Sequence, residues 1–226
     1  MPDGWLNVDG SWAARLAKRP GLLKALQTLK LVPRREGDEG FKSSVFTHDL
    51  SKPLPFPEGT FTGVYASHTL EHMWLDEGGR VLRECLRVLK PGGVCRMVVP
   101  DLRHIILEYM GQFDFGKDDV YSQVTDEVKR TVPRADILNM RLLLRDPTAP
   151  RGNLLLKGYR TMKDFHSHKW MYDAESLAYH MKRAGFVEVQ ERGLHESRIP
   201  GIQDVERPER VRNGVGICVE GLKPGR

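Results

Sequence analysis

The stretch from Phe61 to Asp101, FTGVYASHTLEHMWLDEGGRVLRECLRVLKPGGVCRMVVPD, limits the possible folds more than any other part of the chain. Val64-Tyr65-Ala66 is a short apolar, β-prone run, which predicts a strand. Ser67 to His72 forms a polar turn at the carboxyl end of that strand. Leu75, Leu82, Cys85, Leu86 and Leu89 then set an apolar stripe at helical spacing, weakened near its start by Gly78-Gly79. Lys90-Pro91-Gly92-Gly93 should stop the helix, since proline cannot continue it and glycine accepts a left-handed cap. Val94 to Val99 is almost continuously apolar, the pattern of a strand covered on both faces. Strand, helix and strand at this spacing predict a right-handed crossover in a parallel sheet. Ligands in such sheets bind at the carboxyl ends of the strands. Those ends carry Ser67-His68 and Pro100-Asp101 here.

The blocks YASHTLEHM and LRECLRVLKPGGVCRMVVPD, in that order, resemble the class I S-adenosylmethionine (SAM)-dependent methyltransferases. The likeness is to the small-molecule-type group with an LEH turn after the fourth strand and LKPGG before the fifth. It runs from Trp5 to Asp101, with a weaker continuation at His168 to Val189. The resemblance implies an α/β, Rossmann-like, doubly wound and mostly parallel sheet of order 3-2-1-4-5-7-6, finished by a carboxyl-terminal antiparallel hairpin. It implies SAM as cofactor and an oxygen or nitrogen of a small-molecule or saccharide-like acceptor as the methyl target.

Composition narrows the setting. A chain of 226 residues suffices for one α/β domain with additions. We expect a single domain, with its core at 5–110 and 165–223 and an insertion at 111–164. No apolar run approaches the ~20 residues of a membrane span, and the start MPDGWLNVDG lacks a basic-then-apolar leader pattern. Cys85, Cys95 and Cys218 stand in apolar contexts without paired spacing, so buried thiols in a reducing cytoplasm are expected. The net charge is +5, but the basic stretches lack interleaved aromatics. A solvated basic surface is therefore preferred to a nucleic-acid substrate. The expected partners are a small-molecule acceptor and, compatibly, further copies of the chain, with no membrane.

In chain order, Trp5 to Asp9 reads as a short strand ending in an acid, followed by Gly10. On the resemblance this is the second strand, and Asp9 with Gly10 would meet the ribose of SAM, since a carboxylate accepts two hydrogen bonds at once. Asp9 is also a good helix N-cap ahead of Ser11-Trp12-Ala13. Ser11 to Leu31 should be helical with a break at Pro20-Gly21. Ser44 to His48 is a strand; on the resemblance Asp49 would lie beside the adenine amino group and Leu50 on its ring, the other reading being a turn Asp before Ser51. Leu102 to Met110 should be helical with Asp101 at its start. Asp126 to Leu144 also reads as helix, and Arg145 to Lys157 as a loop able to cover a cleft. Asp173 should cap a helix Ala174 to Ala184 ended by Gly185, followed by strands at Phe186 to Gln190 and Gly214 to Gly221.

The family's glycine-rich loop after the first strand would precede Trp5, where only Met1 to Gly4 stand. A chain without that strand is expected, either begun too late or closed by pairing of the second strand with the fourth. This gap keeps open a second reading, a catalytically inactive methyltransferase-fold protein acting in binding or assembly.

His68-Thr69-Leu70-Glu71-His72 also matches H-x-x-E-H, a zinc-peptidase pattern that needs both histidines on one face of a helix. Following a strand directly, it is expected not to be a peptidase site. Some RNA 2′-O-methyltransferases bind a metal through E-x-x-E-H and a later His; this chain has His68 at the first Glu, so no metal is expected. His68 is the candidate general base, its imidazole titrating near neutrality, and Ser67 would face the methionine end of SAM. His168, Trp170 and Tyr172, in the cluster Phe165 to Asp173, are candidates to close the acceptor pocket or are amphipathic groups at a helix start.

Overall fold

The computed structural model describes residues 2–28, 45–112, 131–143, 167–211 and 216–225. The chain divides into two compact units, Met1–Pro55 and Phe56–Arg226.

In the first unit β1 (Val8–Asp9) pairs in parallel with β2 (Phe46–Thr47), Val8 opposite Phe46 and Asp9 opposite Thr47. Between them lie α1 (Trp12–Ala17) and α2 (Pro20–Thr28). The expected single break at Pro20-Gly21 falls one step earlier, with Pro20 as the first residue of α2, the position where its missing N–H costs nothing. Ser11, not Asp9, is the N-cap of α1: its side chain accepts from the Ala14 amide. A Cβ on Gly10 would come within 2.6 Å of the His48 carbonyl oxygen, so the ends of β1 and β2 approach through a glycine.

The second unit is built on a four-stranded sheet of order β3-β4-β6-β5. Its strands are β3 (Phe61–Ser67), β4 (Leu89–Pro100), β5 (Val187–Arg192) and β6 (Gly216–Leu222). β3 and β4 are parallel, joined by α3 (Leu75–Val88); β6 runs antiparallel to both β4 and β5. The result is a mixed α/β sheet, with the expected hairpin at its end. Taken separately, β2-β1 and β3-β4-β6-β5 repeat the two ends of the order 3-2-1-4-5-7-6.

β4 is the centre of the packing. Leu89, Cys95, Met97, Val98 and Val99 are buried, between α3 residues Val81, Leu82, Cys85 and Val88 and the strand β6. α4 (Leu102–Tyr109) follows β4, and α5 (Arg134–Leu143) packs on it. α6 (Ala174–Ala184) buries Leu177, Met181 and Ala184 against α3, β5 and β6. Its ends are as expected: the Asp173 side chain accepts from the Ser176 amide, and Gly185 stops the helix at φ 108°.

The end of α3 differs from the expectation. The helix stops at Val88, and its cap is Leu89 in an extended conformation, not a left-handed glycine. Lys90 to Gly93 belong to β4, with Gly92 at φ 75°. Gly92 N–H donates to the Lys223 carbonyl and Lys223 N–H to that of Gly93. Sheet pairing with the end of β6 therefore captures the turn that was expected to cap the helix.

Within the predicted helix Asp126 to Leu144, the described residues show helix at Thr131 and in α5; Asp126 to Arg130, Leu144, the Arg145 to Lys157 loop, Phe165 and His166 lie outside the described residues. No helix among the described residues is long and apolar enough to cross a membrane. All three cysteines are buried and unpaired by disulfide. Burial pushes the Cys218 thiol up to about 12. A thiol reagent should accordingly label the native protein slowly and all three positions rapidly after urea unfolding. Fast native labelling at Cys95 would contradict its place in the middle of β4.

Candidate functional site

The carboxyl end of β3 is where polar groups collect in the second unit. The strand ends at Ser67, whose hydroxyl is buried beside the Tyr65 phenol. His68 follows with φ 52°, a left-handed conformation that a histidine adopts at a cost of ~1–3 kcal/mol. This kink turns the chain into a 3₁₀ turn, Leu70–His72, with Leu70 and Glu71 buried. Glu77 accepts a hydrogen bond from the Trp74 amide at 3.0 Å, which starts α3 immediately beyond.

A distant segment lies across this turn. The amides of Lys169 and Trp170 donate to the Glu71 carbonyl at 2.6 and 3.3 Å. Tyr172 then bridges to Asp101 at the end of β4, and the Leu102 amide donates to the Tyr172 carbonyl at 2.8 Å. Residues 167–173 thus join the ends of both parallel strands. Asp101 caps α4 by accepting from the Arg103 amide at 2.9 Å and pairs with His104.

Inside the crossing, the Glu71 side chain has no solvent exposure. His68 Nδ1 stands 3.2 Å from its Oε1 and His72 Nε2 3.9 Å from the same atom. Neither carboxylate oxygen meets a hydrogen-bond donor in good geometry among the described residues. The other nitrogen of His68, Nε2, lies 3.1 Å from the Arg210 carbonyl oxygen, so both ring nitrogens face acceptors. His72 Nδ1 lies 3.3 Å from the Ser167 carbonyl oxygen. The His168 ring is 5.2 Å from that of His72, and burial holds its imidazole below the usual histidine range, against the opposing pull of Glu71.

The three proposed acceptor-side residues separate. Trp170 is exposed. His168 belongs to the Glu71 cluster. Tyr172 is a core residue, 1% exposed, with its hydroxyl against α3. Gly78 makes room for it, since a Cβ there would stand 3.0 Å from the Tyr172 oxygen. The glycine that looked like a weak point in the helix is a packing requirement.

In the first unit, Asp9 Oδ1 accepts from the Ser11 amide at 2.7 Å. Asp49 Oδ1 accepts from the Ser51 amide at 3.0 Å and its hydroxyl at 2.8 Å, which is the turn role open to it from the sequence. These bonds from Ser51 hold the Asp49 carboxyl below the usual range. Each carboxylate keeps its second oxygen clear of donors among the described residues. Both acids are half-exposed, Asp9 as the last residue of β1 and Asp49 two residues beyond β2. Gly10 and Leu50 adjoin them in sequence.

From sequence, Glu71 stands out as the Glu of H-x-x-E-H and of the E-x-x-E-H pattern, with neither a peptidase nor a metal site expected there. Its signal was the placing of one acid between two histidines, in a turn whose apolar neighbour Leu70 is also buried.

Comparison with known proteins gives one partial family match. Residues 22–97, about a third of the chain, match the model of a methyltransferase domain. No curated protein matches the chain. Among solved structures, a SAM-dependent methyltransferase from Thermotoga maritima is 16% identical, with a TM-score of 0.41, covering 99% of this chain and 84% of that one. A SAM-dependent methyltransferase from Archaeoglobus fulgidus is 15% identical, with a TM-score of 0.43 and coverages of 97% and 87%. An O-methyltransferase family protein from Burkholderia thailandensis is 14% identical, with a TM-score of 0.43 and coverages of 97% and 51%. These superpositions are loose, and functional weight falls on the matched segment and the chain's own residues.

Proposed function

We propose that this protein is a SAM-dependent methyltransferase acting on an oxygen or nitrogen of a small-molecule or saccharide-like acceptor. The observation that carries the reading is the methyltransferase-domain match over 22–97, which takes in β2, β3 and α3 and ends within β4. Asp9 and Gly10 are the proposed ribose contacts, and Asp49 and Leu50 the proposed adenine contacts. Ser67, at the carboxyl end of β3, is the proposed contact for the methionine end. SAM, when bound, would supply an electrophilic methyl on a sulfonium, taken up by an aligned acceptor atom as S-adenosylhomocysteine leaves as a neutral thioether.

What the chain contributes to that step is mainly placement. Transfer from a sulfonium needs an in-line approach more than a strong base. His68 was the candidate base, yet its two nitrogens already face Glu71 and Arg210. We therefore assign it to holding the Glu71 carboxylate, and give the acceptor side to the exposed Trp170.

Calorimetric titration with S-adenosylhomocysteine tests the nucleoside half. Hydrogen bonds to a charged acceptor contribute ~1.5–3 kcal/mol. Asp9→Ala should therefore weaken binding by about ten- to a hundredfold, with no change in the melting temperature beyond the loss of one turn contact. Unchanged affinity in Asp9→Ala would remove the ribose assignment. Absence of binding to the wild-type chain would remove the methyl-transfer reading and favour the inactive binding protein.

A further inference from the structure

The Glu71 cluster is not accounted for by methyl transfer or by the fold. A buried carboxylate short of hydrogen bonds is costly unless a cation compensates it. Glu71 is buried in this way, with His68 at ion-pair distance on one side. On the other side are two imidazoles. His72 has Nδ1 3.3 Å from the Ser167 carbonyl oxygen and Nε2 3.9 Å from Glu71 Oε1. His168 has a buried Nδ1 that meets no hydrogen-bond partner among the described residues. One ligand atom from each of Glu71, His72 and His168 can be chosen so that all lie within 4.8 Å of one another.

We propose that Glu71, His72 and His168 bind a divalent transition cation of the zinc class, as a three-ligand site with its remaining positions open. Two imidazole nitrogens and one carboxylate oxygen are the donor set of such sites, with bonds of ~2.0–2.2 Å. Binding draws the three atoms together by about an ångström from their present spread. The Ser167 carbonyl on His72 is the outer contact that fixes which nitrogen offers its lone pair. His68 orients the carboxylate from behind, and its own Nε2 is tied to Arg210.

This differs from the H-x-x-E-H peptidase arrangement, in which both histidines ligate and the Glu is a base. Here the turn is 3₁₀, the Glu is a ligand, and the third ligand comes from the segment laid over it. It also departs from the metal-free expectation for this turn. The role of the cation rests on the methyl-transfer reading: it holds an acceptor oxygen and makes its hydroxyl easier to deprotonate. The binding itself does not rest on that reading.

The test uses the full chain, stripped with a chelator and titrated calorimetrically with zinc chloride. One zinc per chain is expected, with a dissociation constant in the micromolar range or below. His72→Asn and His168→Asn should each weaken it by about a hundredfold, while His104→Asn leaves it unchanged. Circular-dichroism melts check that each variant folds. Cobalt(II) added to the wild-type chain gives an independent readout, the visible bands of a low-coordinate site. Failure of wild type to take up zinc, or uptake that survives both substitutions in folded protein, overturns the site. Zinc bound without S-adenosylhomocysteine binding upholds the site and removes methyl transfer. S-adenosylhomocysteine bound without zinc does the reverse.

Discussion

Arg96→Ala is expected to destabilise the protein by about 3–5 kcal/mol, the cost of leaving a buried charge without its partner. Arg96 sits in the middle of β4 with no exposed surface. Its Nε donates to Glu206 Oε1 at 2.7 Å and its Nη2 to Glu206 Oε2 at 2.9 Å. Nη1 donates to the Glu196 carbonyl at 2.9 Å, and Nη2 to the Gly193 carbonyl at 2.7 Å. Glu220 on β6 lies 3.7 Å from Nη1 and also accepts from the Ser197 hydroxyl at 2.5 Å. Alanine would strand two buried carboxylates and two backbone carbonyls. Arg96→Met combined with Glu206→Leu should recover most of the loss, since apolar replacement of a whole buried pair is often neutral. Urea denaturation of the three proteins decides it. A single variant within 1 kcal/mol of wild type would show that the charge is not held as described. The effect reaches the site, because the same loop leads to α7 (Pro208–Val211), whose Arg210 carbonyl meets His68.

Tyr172→Ala should cost about as much, ~3–5 kcal/mol by analogy with other buried aromatic truncations. It should also abolish whatever the Glu71 cluster does. The ring fills the space that Gly78 leaves beside α3. It anchors residues 167–173 between the ends of β3 and β4, and through them His168 beside Glu71. Tyr172→Phe keeps the ring and should lose little at neutral pH. Burial, with the Glu71 charge second, raises the Tyr172 phenol from 10.0 to about 12. The folded protein holds it neutral while the unfolded chain ionises it. Its contribution is therefore whole below about pH 10 and is lost as pH rises toward 12. Tyr172→Phe should accordingly retain more of its stability than wild type across that alkaline window. Equal loss in both proteins would mean that the phenol is not buried. A Tyr172→Ala protein that melts with wild type would mean that the segment is held by its backbone bonds alone.

Much of the scaffold was legible because it depends on neighbours in sequence. The apolar run Val94 to Val99, the stripe through Leu82 and Cys85, the cap at Asp173 and the stop at Gly185 each act over one or two turns of chain. The carboxyl ends of β3 and β4 were located correctly for the same reason. The end of α3 was misplaced because Lys90 to Gly93 had two outcomes, a helix cap or a strand entry. Pairing with Lys223, far along the chain, selected the second.

What the sequence determined, then, was the strand–helix–strand unit, the polar turn after its first strand, and the acids at Asp9 in β1 and Asp49 beyond β2, since periodicity and local turn chemistry encode these directly. Tertiary structure alone decided which of those polar groups act together. Arg96 reads as an interruption in an apolar strand until Glu206 and Glu220 are seen to close around it. Gly78 reads as a helix weakness until Tyr172 is packed against it. Glu71 and His72 become a site only when the segment carrying His168 crosses the turn. Each of these pairings joins residues far apart in the chain, and no propensity or spacing rule carries information over such distances. For Arg96 and Glu71 the selecting energy is the desolvation of charge in a packed interior, and for Gly78 it is close packing; both are properties of the assembled fold and not of any stretch of it.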